Sequence, residues 1–180
     1  TAKEVAEATE VGPAHEEGRH IGPLVSERQF RRVQALIEKG IEEGARLVTG
    51  GPGRPEGFNR GFYVRPTIFA DVEPGMAIER EEVFGPVLAM IPFDTEEEAI
   101  EIANNTPYGL TNYVQSQDGE KRNRLARKLR AGMVEMNGRS RGAGAPFGGH
   151  AFKKSGFPGL IGGIVLSSGF CGYVFAMYNT

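Results

Sequence analysis

The order of its segment types constrains this chain more than any single motif. Helix-type and strand-type stretches alternate along it. "SERQFRRVQALIEKGIEEG" predicts a helix: Ser26 caps it with Gln29 three residues later, Phe30, Val33, Ile37 and Ile41 share one face, and Gly44 ends it. "ARLVTG" reads as a short buried strand and "GGPGRPEGFNRG" as an exposed loop. "FYVRPTIF" alternates like a strand, with Pro66 marking an edge or a bulge. "VLAMIPF" follows as an apolar strand. Asp94 and Glu97 then give a capping signal for a helix carrying Ala99, Ile100 and Ala103, which "NNTPYGL" breaks. "TNYVQS" is strand-like, Asp118 starts a basic helix that Gly132 can stop, and "MVEMN" is strand-like again. This alternation argues for an α/β fold, a largely parallel sheet flanked by helices. The first twenty residues are polar and read as irregular. No fixed-period repeat, low-complexity tract or dividing linker is visible, so residues 1–180 read as a single domain with an atypical tail at 150–180.

The totals exclude several function classes. With 21 basic and 23 acidic residues the net charge is −2, which offers no electrostatic footing for nucleic acid. The basic run "KRNRLARKLR" has Leu125, Ala126 and Leu129 at helical spacing, so it reads as the solvated face of a helix. One cysteine, Cys171, rules out an internal disulfide and fits a reducing, cytoplasmic compartment. The N-terminus carries no secretory signal. Gly159–Tyr178 is uncharged and long enough to cross a bilayer, but five glycines and two serines dilute it and no basic flank follows; a strand-bearing tail is the favoured reading.

A search for catalytic apparatus returns little. His15, His20 and His150 lack cysteine or paired-carboxylate neighbours at ligand spacing, which argues against a metal site. "GGPGRPEG" and "GAGAPFGG" complete neither G-x-G-x-x-G nor the P-loop pattern. Cys171 lies in an apolar run with no basic partner nearby to lower its pKa, so it reads as an inert buried thiol.

Two stretches look shaped for a purpose. The loop "GRSRGAGAPFGG", Gly138–Gly149, follows a strand end at Asn137, where an α/β sheet places ligands. A plain surface loop is an equal reading of it. The other is "EREEVFGPVLAMIPF", in which three glutamates in four residues run into an apolar strand. A carboxylate accepts two hydrogen bonds and so grips a vicinal diol such as a ribose, while an aromatic ring packs on a planar ring. Glu82 and Phe84 share parity on an extended segment, so both side chains would point one way. Chemistry alone favours the alternative, a solvent-facing acidic turn with Phe84 in the core.

Five segments taken together shift that balance. "IGPLVSERQFRRVQALIEKGIEEGARLVTGG", "GFYVRPTIF", "EEVFGPVLAMIPF", "EEEAIEIANNTPYGL" and "GMVEMN…PFGG" occur in the order and spacing of the aldehyde dehydrogenase superfamily, and from Val11 to Gly149 the chain resembles the C-terminal part of its catalytic domain. The resemblance implies NAD(P)-dependent oxidation of an aldehyde to a carboxylic acid. In that scheme a cysteine thiolate attacks the carbonyl, hydride passes to the nicotinamide, and a glutamate-activated water hydrolyses the thioester. It also implies that Glu82 holds the nicotinamide ribose, that Phe84 contacts the nicotinamide end, and that Asn137, Gly138, Ala145 and Phe147 belong to the substrate side. The cofactor expected is NAD or NADP, and the partners are a small aldehyde and, with the upstream part present, further copies of the same subunit.

The departures carry equal weight. The family's nucleophilic cysteine, general-base glutamate and pyrophosphate loop lie upstream of the matched region, and Cys171 falls too late to stand in for the nucleophile. No catalytic residue is therefore assigned, and the isolated chain is expected to be inactive. The alternative is a non-catalytic truncated relative that serves as a binding or assembly module for full-length subunits. Where the family has "PFGG-x-K-x-SG-x-GRE", this chain reads "PFGGHAFKKSGFPGLIGG", and the usual final pairing strand is not recognisable in "IVLSSGFCGYVFAMYNT".

Overall fold

The computed structural model describes residues 1–138 and the backbone of two later strands, 161–165 and 172–177. The chain forms two compact units, Thr1–Ala89 and Met90–Met177, within what the sequence reads as one domain.

The first unit opens on helix α1 (Ala2–Ala8), where Thr1 and Glu4 form a capping box. The expectation of an irregular start missed it. Only its N-cap signature marks it, because α1 buries no residue and so has no apolar stripe to read. Helix α2 (Glu27–Glu42) matches its expected start and stop. The Ser26 hydroxyl accepts from the Gln29 N–H at 3.2 Å, and Gly44 turns the chain at φ 95°. Gly44 N–H donates to Ile41 O and Ala45 N–H to Gly40 O, the paired bonds of a Schellman stop. Its buried face is Val33, Leu36, Ile37 and Gly40, displaced from the expected stripe, and Ile41 is exposed. Gly40 belongs to that face because a Cβ there would stand 2.9 Å from the Ile78 side chain and 3.4 Å from the Phe69 ring. Helix and sheet thus approach closely at this position, burying Phe69, worth about 1.5–3 kcal/mol by itself.

Strand β1 (Arg46–Thr49) pairs antiparallel with β2 (Thr67–Ala70), and β2 pairs parallel with the start of β3 (Val87–Phe93), Thr67 opposite Val87. Two strand expectations need correction here. β1 is half exposed rather than buried, because in this unit it pairs only with β2. The β1–β2 pair does carry a register shift, between Leu47 and Thr49, but Pro66 does not mark an edge. It stands just ahead of β2, which lies between two partners and is buried at all four residues, and the Thr67 N–H goes to Pro86 O at 2.9 Å. A strand buried on both faces shows no alternation. Helix α3 (Ala77–Arg80) leads from there toward β3.

In the second unit, β4 (Thr111–Gln115) is paired in parallel with β5 (Met133–Met136) on one side and with β6 (Ile161–Val165) on the other. β7 (Gly172–Met177) runs antiparallel to β6, so the tail carries strands. Helix α4 (Glu96–Asn104) is capped one residue later than expected, by Thr95, whose hydroxyl accepts from Glu98 N–H. Helix α5 (Gly119–Lys128) is capped by Asp118 and buries Leu125; its Arg124 pairs with Glu96 through two contacts of 2.7 Å. The fold is α/β with largely parallel pairing. No helix among the described residues is long and apolar enough to cross a membrane.

Candidate functional site

The three glutamates of "EREEVFGPVLAMIPF" have three different fates. Glu79 is buried, and one of its oxygens accepts from Gly75 N–H at 3.0 Å, so it closes the turn before α3. Glu81 ends α3 and meets the Arg32 guanidinium at 3.4 Å. Glu82 is half-buried, and its carboxylate accepts no hydrogen bond among the described residues. Burial pushes the Glu82 carboxyl above its usual range, and the Arg32 charge works in the opposite direction. Arg32 nevertheless spends its hydrogen bonds on the Glu81 carboxylate and on Glu82's carbonyl oxygen, at 3.3 Å, leaving the Glu82 carboxylate free. A desolvated carboxylate with both oxygens open is an acceptor pair prepared for a donor from outside.

Phe84 is not in the core. The residue is 41% exposed, whereas Val83 beside it is fully buried. The backbone at Phe84 is left-handed, with φ 57°. The reading of Glu82 and Phe84 as equal-parity positions on an extended segment therefore fails, because a left-handed residue breaks the alternation on which parity depends. For a residue other than glycine this conformation costs about 1–2 kcal/mol. Helix α2 supplies the compensation. The Gln29 side-chain amide donates to Val83 O at 3.1 Å and to Phe84 O at 3.0 Å. One turn on, Val33 packs against Gly85 so closely that a Cβ there would lie 3.0 Å from a Val33 methyl. Gln29, Arg32 and Val33 occupy one face of α2 at i, i+3 and i+4, and that face is the template for residues 82–85. Sequence reasoning used Gln29 only as a capping partner and missed this role. No local pattern could reveal it, because the contact spans 54 residues.

Asn137 and Gly138 stand in the second unit, just past the end of β5. Both are left-handed, at φ 51° and 69°. The Asn137 side chain accepts from Ser116 N–H at 3.1 Å and donates to Ser116 O at 3.0 Å, while its own N–H reaches Val114 O at 2.9 Å. The guanidinium of Arg122 on α5 donates to that same Ser116 oxygen. Asn137 thus extends the β4–β5 pairing by one step with its side-chain amide, and its polar atoms are spent there. Among the described residues nothing lies within 4 Å of where a side chain at Gly138 would begin. Ala145 and Phe147 lie outside the described residues. Among the described residues no cluster of His, Cys, Asp and Glu could hold a metal.

Comparison with known proteins supplies the wider frame. The model of the Aldehyde dehydrogenase family matches residues 1–166, reaching earlier than Val11 and later than Gly149, the bounds of the motif resemblance. A Staphylococcus saprophyticus protein named as an aldehyde dehydrogenase is 49% identical over 154 residues, which is 86% of this chain and 32% of that protein. The chain therefore spans about a third of the length of the curated relatives it matches. Among solved structures, an aldehyde dehydrogenase from Bartonella henselae superposes with a TM-score of 0.80 at 59% identity, over 82% of this chain and 31% of that one. Aldehyde dehydrogenase C from Pseudomonas syringae, a mutant in complex with NAD+ and octanal, gives a TM-score of 0.79 at 50% identity, over 82% of this chain and 30% of that one. The Mycobacterium tuberculosis enzyme, complexed with NAD+, gives 0.77 at 51% identity, over 81% and 30% of the two chains. This chain belongs to the aldehyde dehydrogenase family.

Proposed function

We propose that this chain supplies the nicotinamide-ribose clamp and part of the substrate side of an NAD- or NADP-dependent aldehyde dehydrogenase. The observation that carries the reading is the Glu82 carboxylate, half-buried and without a partner among the described residues, two positions from an exposed aromatic ring on a held left-handed backbone. The two oxygens of Glu82 accept from the two hydroxyls of a ribose, and Phe84 offers a ring face to the planar base attached to it. Burial of Glu82 strengthens each such bond by excluding competing water. NAD(P)+, when bound, supplies the acceptor for the hydride that leaves the aldehyde carbon. On the substrate side, Asn137 anchors the chain after β5 to Ser116, and the reading assigns Gly138, Ala145 and Phe147 to the aldehyde.

On this reading the nucleophilic cysteine and the general base come from outside these 180 residues, which alone oxidise no aldehyde. Combined with the part that supplies them, the chain works in a cytoplasmic homo-oligomer. The test is Glu82→Gln in the assembled dehydrogenase. Hydrogen bonds to a charged group are worth about 1.5–3 kcal/mol, so losing one raises the cofactor KM roughly tenfold or more. The aldehyde KM stays near its original value. An unchanged cofactor KM would sink the clamp.

A further inference from the structure

The geometry points to Asn137 as a modification site. It deamidates through ring closure by the Gly138 nitrogen, at a rate governed by the hydrogen bonds that tie its side-chain amide to Ser116. This chemistry does not depend on the Glu82–Phe84 clamp and stands or falls without it.

Of the seven asparagines in the chain, only Asn137 is followed by glycine. Glycine sets no side chain beside its own nitrogen and leaves the backbone free to bring that nitrogen to the asparagine Cγ. In the first step the Gly138 nitrogen attacks Cγ and a C–N bond forms. Nδ2 leaves as ammonia, taking up the proton lost from the Gly138 N–H, and a succinimide closes. Water then adds to one of the two ring carbonyls, and opening of the ring leaves aspartate or isoaspartate. Asn137 and Gly138 are both exposed, so water reaches them. The Gly138 N–H has no partner among the described residues, and nothing described lies within 4 Å of where a side chain at 138 would begin. The approach to the attacking nitrogen is therefore open. Asp118–Gly119 is the related acidic pair, but bonds from Lys121 N–H and Glu120 N–H, at 3.0 Å and 2.9 Å, hold its carboxyl ionised below the usual range. An ionised carboxylate is a poor electrophile.

Ser116 restrains the first step. Asn137 Oδ1 accepts from Ser116 N–H at 3.1 Å and Nδ2 donates to Ser116 O at 3.0 Å, so both ends of the amide are engaged. While both bonds stand, Cγ is held toward β4 and cannot swing onto the Gly138 nitrogen. The reaction waits for local opening at the end of β5. Its product cannot close the latch again. A carboxylate has no proton for Ser116 O, so two acceptors would face each other. The Arg122 guanidinium already donates to that oxygen and thus stands beside the new carboxylate. A charge-assisted bond to Arg122 draws the carboxylate away from Ser116. Isoaspartate also lengthens the backbone by one carbon and displaces the chain that follows β5. Deamidation is a one-way release of this end of the β4–β5 pair.

The experiment incubates the full chain in mildly alkaline buffer, folded and in urea, and maps its peptides by mass, with aspartate and isoaspartate separated by chromatography. Asn59 and Asn123, both exposed and each followed by arginine, are internal references. In the folded chain Asn137 is expected to deamidate ahead of both references and to give both products. Measured against the same references, urea speeds it about ten- to thirtyfold, the factor that two neutral hydrogen bonds are worth. An Asn137 peptide that outlasts the references in the folded chain overturns the assignment of the site. Equal rates with and without urea overturn the control by Ser116. Asn137→Asp supplies one product directly and is expected to unfold at lower urea concentration than the original chain; an unchanged midpoint would show that the modification releases nothing. Arg122→Met should lower the midpoint further in the Asn137→Asp background than in the original. An equal loss in both backgrounds contradicts the pairing of Arg122 with the new carboxylate.

Discussion

Replacing Gly85 by alanine tests the template directly, because the structure sets both the sign and the rescue. An alanine Cβ at 85 would lie 3.0 Å and 3.1 Å from the two methyls of Val33, against an ordinary separation of about 3.5–4.0 Å. Val33 is fully buried on α2 and β-branched, so it cannot rotate aside within a helix. The strain must move the 82–85 loop off the helix. Overpacking of this kind costs about 1–3 kcal/mol, and Gly85 is not left-handed, so the gain of about 0.4–1 kcal/mol from stiffening the unfolded chain offsets part of it. The expected net loss is about 1 kcal/mol, measured by urea unfolding. Val33→Ala alone also destabilises, by the lost burial of two methyl groups, about 1.5 kcal/mol. The next Val33 atom, its Cβ, would be 3.7 Å from the new methyl, an ordinary contact, so alanine at 33 accommodates alanine at 85. The Gly85→Ala/Val33→Ala pair must then be more stable than the sum of its single variants by about the size of the clash. Strict additivity, or a Gly85→Ala protein as stable as the original, would show that α2 does not shape this loop.

Two further outcomes follow from the second unit. The Arg124 guanidinium bonded to Glu96 holds that carboxyl below its usual 4.5, so the pair's stabilisation is fully present above that value and is lost as pH falls through the lower folded value. The stability gap between the original chain and Arg124→Met is therefore constant at neutral pH and closes under acid; a gap that widens below pH 4.5 contradicts the assignment. Asn137→Ala removes two hydrogen bonds to Ser116 and puts alanine at φ 51°, a loss of about 2 kcal/mol in urea unfolding, whereas Asn137→Gly keeps the backbone relaxed and loses less. Equal losses in the two variants would show that the left-handed backbone at 137 carries no cost.

What the sequence disclosed follows a physical division between local and distant causes. Ser26, Asp118 and Gly44 act on backbone groups within four residues of themselves, and each stands where its residue type placed it. The exposure of β1 and the burial of β2 were not legible, because they depend on how many partners each strand finds, and a four-residue segment carries no record of its neighbours. The same division separates the two halves of the candidate clamp. That a glutamate and a phenylalanine two positions apart suit a ribose and a planar ring is chemistry that residue types announce. Whether Phe84 stands in solvent or in the core is decided by Gln29 and Val33, some fifty residues earlier, and on chemistry alone the core was the stronger reading.

The pattern of partners around residues 79–85 explains why that reading fails. A surface acidic turn leaves its carboxylates equivalent, each in water. Here one carboxylate closes a turn, one meets an arginine, and the third is drawn partly out of water with nothing among the described residues to accept from. Folding alone gains nothing from that third arrangement, since a desolvated carboxylate without a partner is a cost. The left-handed Phe84 beside it is a second cost, met by a side chain from another element. Two unfavourable features, adjacent and both held in place, are expected where a ligand completes the hydrogen bonding and covers the ring. Glu79, a third acidic neighbour, marks the contrast: it is more deeply buried than Glu82 yet has its partner within the fold, so it needs no ligand to account for it.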